Sequence, residues 1–253
     1  MPWFKGWIKE INEGRTVCKT FLEILDVIIQ LRRFVDKPLR LSVQDIYKVS
    51  GIGTVVVGRV DTGVLKVGMP ICFAPSNLTS TVRSIEMQYT NLQEALSGNI
   101  VGFNVGKIRA KELRRGLICS DTKNDPAREA ASFIALIAML NSPSEIELGD
   151  KLMVYCHTAR ITCQLVEFLE KIDYQTGETI EASSKFIKSG DLATVKLVLL
   201  QPACVENFQE YPSLGHFTIR QMNHTVAVGI TKDVENMTTV SYDNPTSNID
   251  MYY

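Results

Sequence analysis

Residues 51–68 limit the possible folds more than any other stretch of this chain: Gly51-Ile52-Gly53-Thr54-Val55-Val56-Val57-Gly58-Arg59-Val60-Asp61-Thr62-Gly63-Val64-Leu65-Lys66-Val67-Gly68. Thr54 to Val60 is rich in β-branched side chains, which suit a pleated, half-buried surface. Gly51 and Gly53 precede that run and admit positive φ where the chain must turn. Asp61-Thr62-Gly63 predicts a short hairpin loop, with the segment from Val64 as its returning strand. Nearby, Leu39, Leu41 and Val43 alternate with Arg40 and Ser42, the period of a strand with one face buried. Further strands are predicted around Pro70–Ala74, Thr81–Met87, Ile100–Asn104 and Gly116–Ser120, punctuated by glycines. Many short strands with frequent turns favour closed barrels, which remove exposed edges.

The two ends differ from this pattern. Thr20 to Leu31 predicts a short helix: Thr20 is a candidate N-cap and Glu23 completes a capping box. Leu22, Leu25 and Ile29 make an apolar stripe on it. Beyond Lys232 there is no further Lys or Arg, and the Asn-, Ser-, Thr- and Asp-rich tail is predicted to be disordered.

Several function classes lack their residues. No G-x-x-x-x-G-K-[ST] loop occurs, nor an Asn-Lys-x-Asp for reading guanine, so the chain is not expected to bind or hydrolyse GTP. The histidines are His157, His216 and His224, and none is spaced with a nucleophile or a second ligand. The six cysteines are scattered without a C-x-x-C pair, which favours buried thiols in a reducing, cytoplasmic setting over zinc or redox chemistry. No apolar run nears the roughly 20 residues of a membrane span. No catalytic residue, cofactor or metal is therefore expected. The net charge of −1 is awkward for a nucleic-acid binder, which needs Lys and Arg to meet phosphates. A local patch at Lys107, Arg109, Lys111, Arg114 and Arg115, followed by Lys185 and Lys188, is the candidate exception; a solvated charged face is the plainer reading.

The 51–68 string resembles the start of the second domain of the elongation factor 1-alpha family. The similarity resumes at Lys123-Asn124-Asp125-Pro126, Cys156-His157-Thr158-Ala159, Lys188-Ser189-Gly190-Asp191 and Thr225-Val226-Ala227-Val228-Gly229. Met1-Pro2-Trp3-Phe4-Lys5-Gly6-Trp7 is similar to an internal stretch of that family, which implies a truncated product, an incomplete gene model or a late start. The resemblance implies a mainly β fold of two consecutive β-barrels, domain 2-like and domain 3-like, preceded by a short orphan helix. It divides the chain into residues 1–36 (the end of a GTPase domain), 37–125 and 126–233 (the barrels) and 234–253 (the tail). Ala127 to Leu140 could be a buried helix by composition, but the resemblance makes Phe133 to Leu140 a strand.

The function so implied is aminoacyl-tRNA binding and exchange-factor binding in translation elongation. Implied partners are aminoacyl-tRNA, a guanine nucleotide exchange factor, the ribosome and actin, with no membrane. Carried over by motif, Gln44 and Asp45 line the amino-acid side of the tRNA 3′ end. Glu86, with Met87 beside it, contacts the terminal ribose, and Arg59 lies near that pocket. A barrel arginine paired with an acid is the alternative for Arg59. Arg220, His224 and Thr225 meet the RNA backbone in the second barrel, and Arg220 can bind a phosphate in bidentate fashion. The chain departs from the family where Ile100 replaces an amide, where Gln88-Tyr89-Thr90 follow Met87, and where His216 replaces an arginine. Those departures leave room for a second reading, a GTPase-free paralogue kept as a protein-interaction module.

Overall fold

The structure, a computed structural model, describes residues 6–11, 14–18, 20–27, 33–140, 145–172, 179–181, 186–221 and 224–237. The chain divides into two compact units, Met1–Arg33 and Phe34–Tyr253. In the first, strands β1 (Trp7–Ile11) and β2 (Gly14–Cys18) form an antiparallel hairpin, followed by helix α1 (Phe21–Val27). The capping box forms: Glu23 N–H donates to Thr20 Oγ1 at 3.2 Å, and Thr20 N–H donates to a Glu23 carboxylate oxygen at 3.3 Å. Phe21 and Leu22 on this helix are 73% and 71% exposed. The remainder of the predicted helix, 28–31, lies outside the described residues. The hairpin was not foreseen, since each strand is five residues long and neither carries an apolar–polar alternation.

The second unit holds two closed antiparallel sheets. The first barrel spans β3 (Arg40–Val49), β4 (Gly53–Thr62), β5 (Val64–Lys66), β6 (Pro70–Ala74), β7 (Leu78–Met87), β8 (Thr90–Leu92), β9 (Glu94–Leu96), β10 (Ile100–Val105) and β11 (Ile118–Asp121), of which β5 and β9 form a two-stranded sheet of their own. Its ring order is β10-β4-β3-β11-β6-β7, closed by β10 pairing with β7. Inward-facing Leu41, Val43, Val56, Val60, Ile71, Phe73, Ile85 and Phe103 fill it, each fully or almost fully buried. Phe73 and Phe103 stack at 6.4 Å between centroids. Each such side chain contributes about 1.5–3 kcal/mol by leaving water.

The hairpin predicted at Asp61-Thr62-Gly63 does not form. β4 pairs with β3 and β10, while β5 leaves that sheet and pairs with β9. The cause is at Gly63, whose N–H donates to Phe34 O at 2.8 Å and whose backbone lies against Leu39. The chain therefore turns a corner there and does not fold back along β4. The hairpin closed by Gly51 is the one between β3 and β4.

The second barrel spans β12 (Ala130–Met139), β13 (Ile146–Glu147), β14 (Lys151–Cys156), β15 (Ala159–Ile172), β16 (Thr179–Glu181), β17 (Phe186–Ile187), β18 (Leu192–Leu199), β19 (His216–Gln221) and β20 (His224–Asn236), of which β13 and β17 form a two-stranded sheet of their own. Its ring is β14-β19-β20-β12-β18-β15, closed by β14 on β15. The ambiguous apolar run is thus strand β12, buried at alternate positions such as Phe133, Ala135 and Ile137. Phe133 meets the edge of Phe217 at 5.6 Å. Cys156 and Cys163 are buried inside this ring, and burial pushes both thiols up to about 12. β20 extends to Asn236; residues 238–253 of the tail lie outside the described residues. Among the described residues no helix is long and apolar enough to cross a membrane.

A third apolar cluster lies where the barrels meet. Ala74 and Ile118, on the outside of the first, pack with Cys204, Tyr211 and Leu214 of the second. Arg40, polar in the alternation and so expected outside the first barrel, is only 2% exposed because this seam covers it.

Candidate nucleic-acid interface

A bulge in β3 shapes the outer face of the first barrel. Val43 pairs with Gly58 and Asp45 with Val57, so Gln44 is an extra residue. Gly58 allows it: a Cβ there would lie 2.5 Å from both Ser42 O and the Leu41 side chain. The bulge reverses the alternation, turning Asp45 and Tyr47 to the exposed side while Ile46 packs on the core.

Beyond the bulge, register aligns Asp45, Val57, Gly102, Glu86 and Asn91 in one row across five strands. Directly opposed residues share a face of the sheet. Asp45 and Glu86 are exposed and are separated by three strand spacings, about 14 Å of sheet. Gly102 keeps the surface low between them, with only Val55 and Val57 side chains within 4 Å of where its Cβ would be. Gln44 is half-buried beside Asp45. Met87 turns the other way from Glu86 and packs against the barrel core. Ile100, 55% exposed, sits opposite Arg59.

Arg59 is exposed yet fixed. Its Nε and Nη2 donate to Asp61 Oδ1 at 2.8 and 2.6 Å. Burial pushes the Asp61 carboxyl up, and Arg59 works against that rise. The acid-paired alternative for Arg59 therefore describes its geometry, while the exposed edge of its guanidinium still borders the row.

On the second barrel, Tyr155 lies between Arg160 and Thr218 in the ladder, and Arg220 lies opposite Met153. The guanidinium carbons of Arg220 and Arg160 stand 5.3 and 5.8 Å from the Tyr155 ring centroid. Arg220 Nε donates to Thr225 Oγ1 at 3.3 Å, so those two candidates are brought together. His224 is exposed, opposite Gln221 at the end of β19–β20. His216 is also exposed, with its Nδ1 2.8 Å from the Pro212 carbonyl. Neither Arg160 nor Arg220 has an ion-pair partner among the described residues.

Sequence reading missed Arg160 and Tyr155. The signal was there: His157 and Thr158 form the turn between β14 and β15, so counting outward from Cys156–Ala159 pairs Tyr155 with Arg160. His157 has φ 45° in that turn. Its Nε2 lies 3.3 Å from the Cys204 carbonyl. Burial lowers its pKa to about 4.

The charged patch predicted at 107–115 divides in two. Lys107 lines a cleft with Arg83. Arg114 and Arg115 border a small cleft of about 80 Å³ in the seam, together with Arg160. Arg114 Nη2 donates to Pro202 O at 3.0 Å across that seam. Lys188 pairs with Glu145 at 3.3 Å; Lys185 lies outside the described residues. Among the described residues no group of three His, Cys, Asp or Glu side chains could hold a metal ion.

The chemistry on offer is therefore contact with an anionic polymer by guanidinium groups, beside a shallow polar row. Residues 53–120 match the family described as elongation factor Tu domain 2, and residues 132–232 the one described as GTP-eEF1A C-terminal domain-like. Elongation factor 1-alpha of Absidia glauca is 52% identical over 235 residues, 93% of this chain and 51% of its own length. The same factor from Serendipita indica is 53% identical over 237 residues, again 93% and 51%. The crystal structure of sup35 complexed with GMPPNP superposes with a TM-score of 0.75 at 27% identity, covering 93% of this chain and 54% of that one. The chain spans about half the length of the curated relatives it matches.

Proposed function

The chain belongs to the elongation factor 1-alpha family, matching its second domain and its C-terminal domain, and we propose that these two barrels hold aminoacyl-tRNA during translation elongation. In this reading residues 37–125 and 126–233 are the two tRNA-gripping domains, and residues 1–36 are the end of a GTPase domain. The row from Asp45 to Glu86 takes the aminoacylated 3′ end. Glu86 accepts from the terminal ribose, and Gln44 and Asp45 stand on the amino-acid side. Arg59, with its position set by Asp61, borders that pocket. Arg220 and Thr225, with Arg160 added, meet backbone phosphates of the acceptor and T stems, and His224 flanks them. The observation that carries the reading is the alignment of Asp45, Gly102 and Glu86 in one exposed row.

The test is a filter-binding titration with aminoacyl-tRNA at about 50 and 200 mM salt. Binding that weakens steeply with salt and is reduced by Glu86→Gln supports the reading. Absence of binding at the lower salt, or indifference to Glu86→Gln, contradicts it. The same reading brings an exchange factor, the ribosome and actin as partners, each a separate co-sedimentation or pull-down experiment.

The exposed Phe21 and Leu22 favour a second reading, in which the chain is a GTPase-free interaction module. Salt-independent protein binding that survives loss of tRNA affinity would distinguish it.

A further inference from the structure

We propose that the outer cleft at the junction of β6, β7 and β10 binds the phosphodiester backbone of an RNA strand, through Arg83, Lys107 and a line of hydroxyls. The inference does not rest on the aminoacyl-end reading.

β7 changes partner along its length. Leu78 to Thr81 pair with β6, whereas Val82 to Glu86 pair with β10. At the changeover Asn104 pairs with Ser84 and Val105 with Val82, so Arg83 is the extra residue of a bulge and is turned outward. Its guanidinium lies over Gly106, with Nε 2.8 Å from where a Cβ would be. Ser80 Oγ donates to Gly106 O at 2.5 Å and fixes that loop. The next residue, Lys107, is held at φ 64°. A lysine in the left-handed region costs about 1 kcal/mol or more, and such strain gathers where a side chain must be aimed.

The cleft between them has a volume of about 610 Å³ and is lined by Arg83, Lys107, Thr79, Ser80, Thr81 and Thr122, with no acidic residue in its wall. It shares Thr79 and Thr122 with a neighbouring cleft of about 700 Å³ that reaches Arg128, where Glu129 also lies. Neither Arg83 nor Lys107 makes an ion pair among the described residues. Ser80 and Thr122 already donate to the Gly106 and Pro70 carbonyls, which leaves the Thr79 and Thr81 hydroxyls as donors beside the two cations, a set that matches phosphate oxygens. No aromatic ring lines either cleft, so bases have no stacking platform and recognition is independent of sequence. Cations spread along two joined clefts fit a polymer carrying charge at intervals better than the single charge of a phosphopeptide.

The experiment is fluorescence anisotropy of the full chain with a labelled single-stranded RNA of roughly twelve uridines, not aminoacylated, across a salt series. Arg83→Gln and Lys107→Gly are the variants, the second placing glycine where φ is positive. Each is expected to weaken binding about fivefold to tenfold at about 100 mM salt and to reduce the salt slope by about one. Unchanged slopes in both variants, with melting temperatures intact, would overturn the proposal. Lys66→Gln, which removes a cation of the same barrel outside both clefts, is expected to leave this binding unchanged; an equal loss in that variant would count against a distinct site. Displacement of the RNA by inorganic phosphate at about 1 mM, or by a singly charged phosphoserine peptide at similar concentration, would overturn the assignment to a polymer backbone.

Discussion

Arg40 and Glu206, 166 positions apart in the chain, meet in the seam between the barrels with Arg40 Nε donating to Glu206 Oε1 at 2.7 Å. The same guanidinium donates through Nη2 to Asp125 Oδ2 at 2.9 Å and through Nη1 to the Asp125 carbonyl at 2.6 Å. Tyr211 donates to that Asp125 carboxylate at 2.7 Å, and Arg40 lies 4.4 Å from the Tyr211 ring centroid. Burial works against the Arg40 charge, but Glu206, Tyr211 and Asp125 together hold its pKa above the ordinary arginine value. Lys37 adds a hydrogen bond to the Glu210 carbonyl. The seam is therefore joined by a buried charge whose donors are matched on both sides.

Replacing Arg40 by Met strands Glu206 and Asp125 and is expected to cost about 3–5 kcal/mol of stability, read as a lower urea midpoint. Glu206→Leu in the same background should recover part of that loss. A double variant no more stable than R40M alone would show that the pair is not coupled.

Acid should weaken the fold through His157. With its pKa lowered to about 4 in the folded chain, against about 6.5 unfolded, the unfolded state takes up the proton first. Stability is then complete above about pH 6.5 and falls as the pH drops towards about 4, by at most roughly 3 kcal/mol. Residual solvent contact at His157 reduces that figure. His157→Gln should flatten the pH dependence over this window relative to the parent chain. Identical slopes in the two would remove His157 as the cause.

Arg220→Lys keeps the charge but loses the planar contact with Tyr155 and the bidentate geometry. Its affinity for aminoacyl-tRNA should fall between that of the parent and Arg220→Ala, with the alanine variant weakened about tenfold. Arg160→Ala should behave like Arg220→Ala. Indistinguishable binding isotherms for all of these would remove the second barrel from the RNA contact.

Phe21 and Leu22 offer exposed apolar surface on a helix of seven residues. Phe21→Ser with Leu22→Gln is expected to reduce self-association, seen as a lower sedimentation coefficient at high protein concentration. No change would mean that this face does not drive association.

How far the chain could be read without coordinates depended on whether the controlling contacts were local. The strand around Val56 followed from its β-branched run, the one around Leu41 from alternation and the Thr20–Glu23 box from a three-residue spacing, whereas the strand at Phe133 came only from the family resemblance. The corner at Gly63 did not, because it is set by Phe34 and Leu39, far back in the sequence. Nor did the burial of Arg40, which depends on Glu206 and Tyr211 of the other barrel. At the candidate site, Glu86 and Arg220 came from family motifs, and alternation could not have put Asp45 and Glu86 in one row. That row exists because one extra residue at Gln44 reverses the parity of β3.

The extra residue has a mechanical consequence. Thr158, in the turn of the second barrel, donates to the Val43 carbonyl at 2.7 Å, directly before the bulge. A pull on the strand bearing Arg160 is thereby transmitted, within a few bonds, to the backbone that presents Gln44 and Asp45. If the two barrels hold one RNA as proposed, load on Arg160 and the posture of Gln44 and Asp45 would be two readings of the same tension.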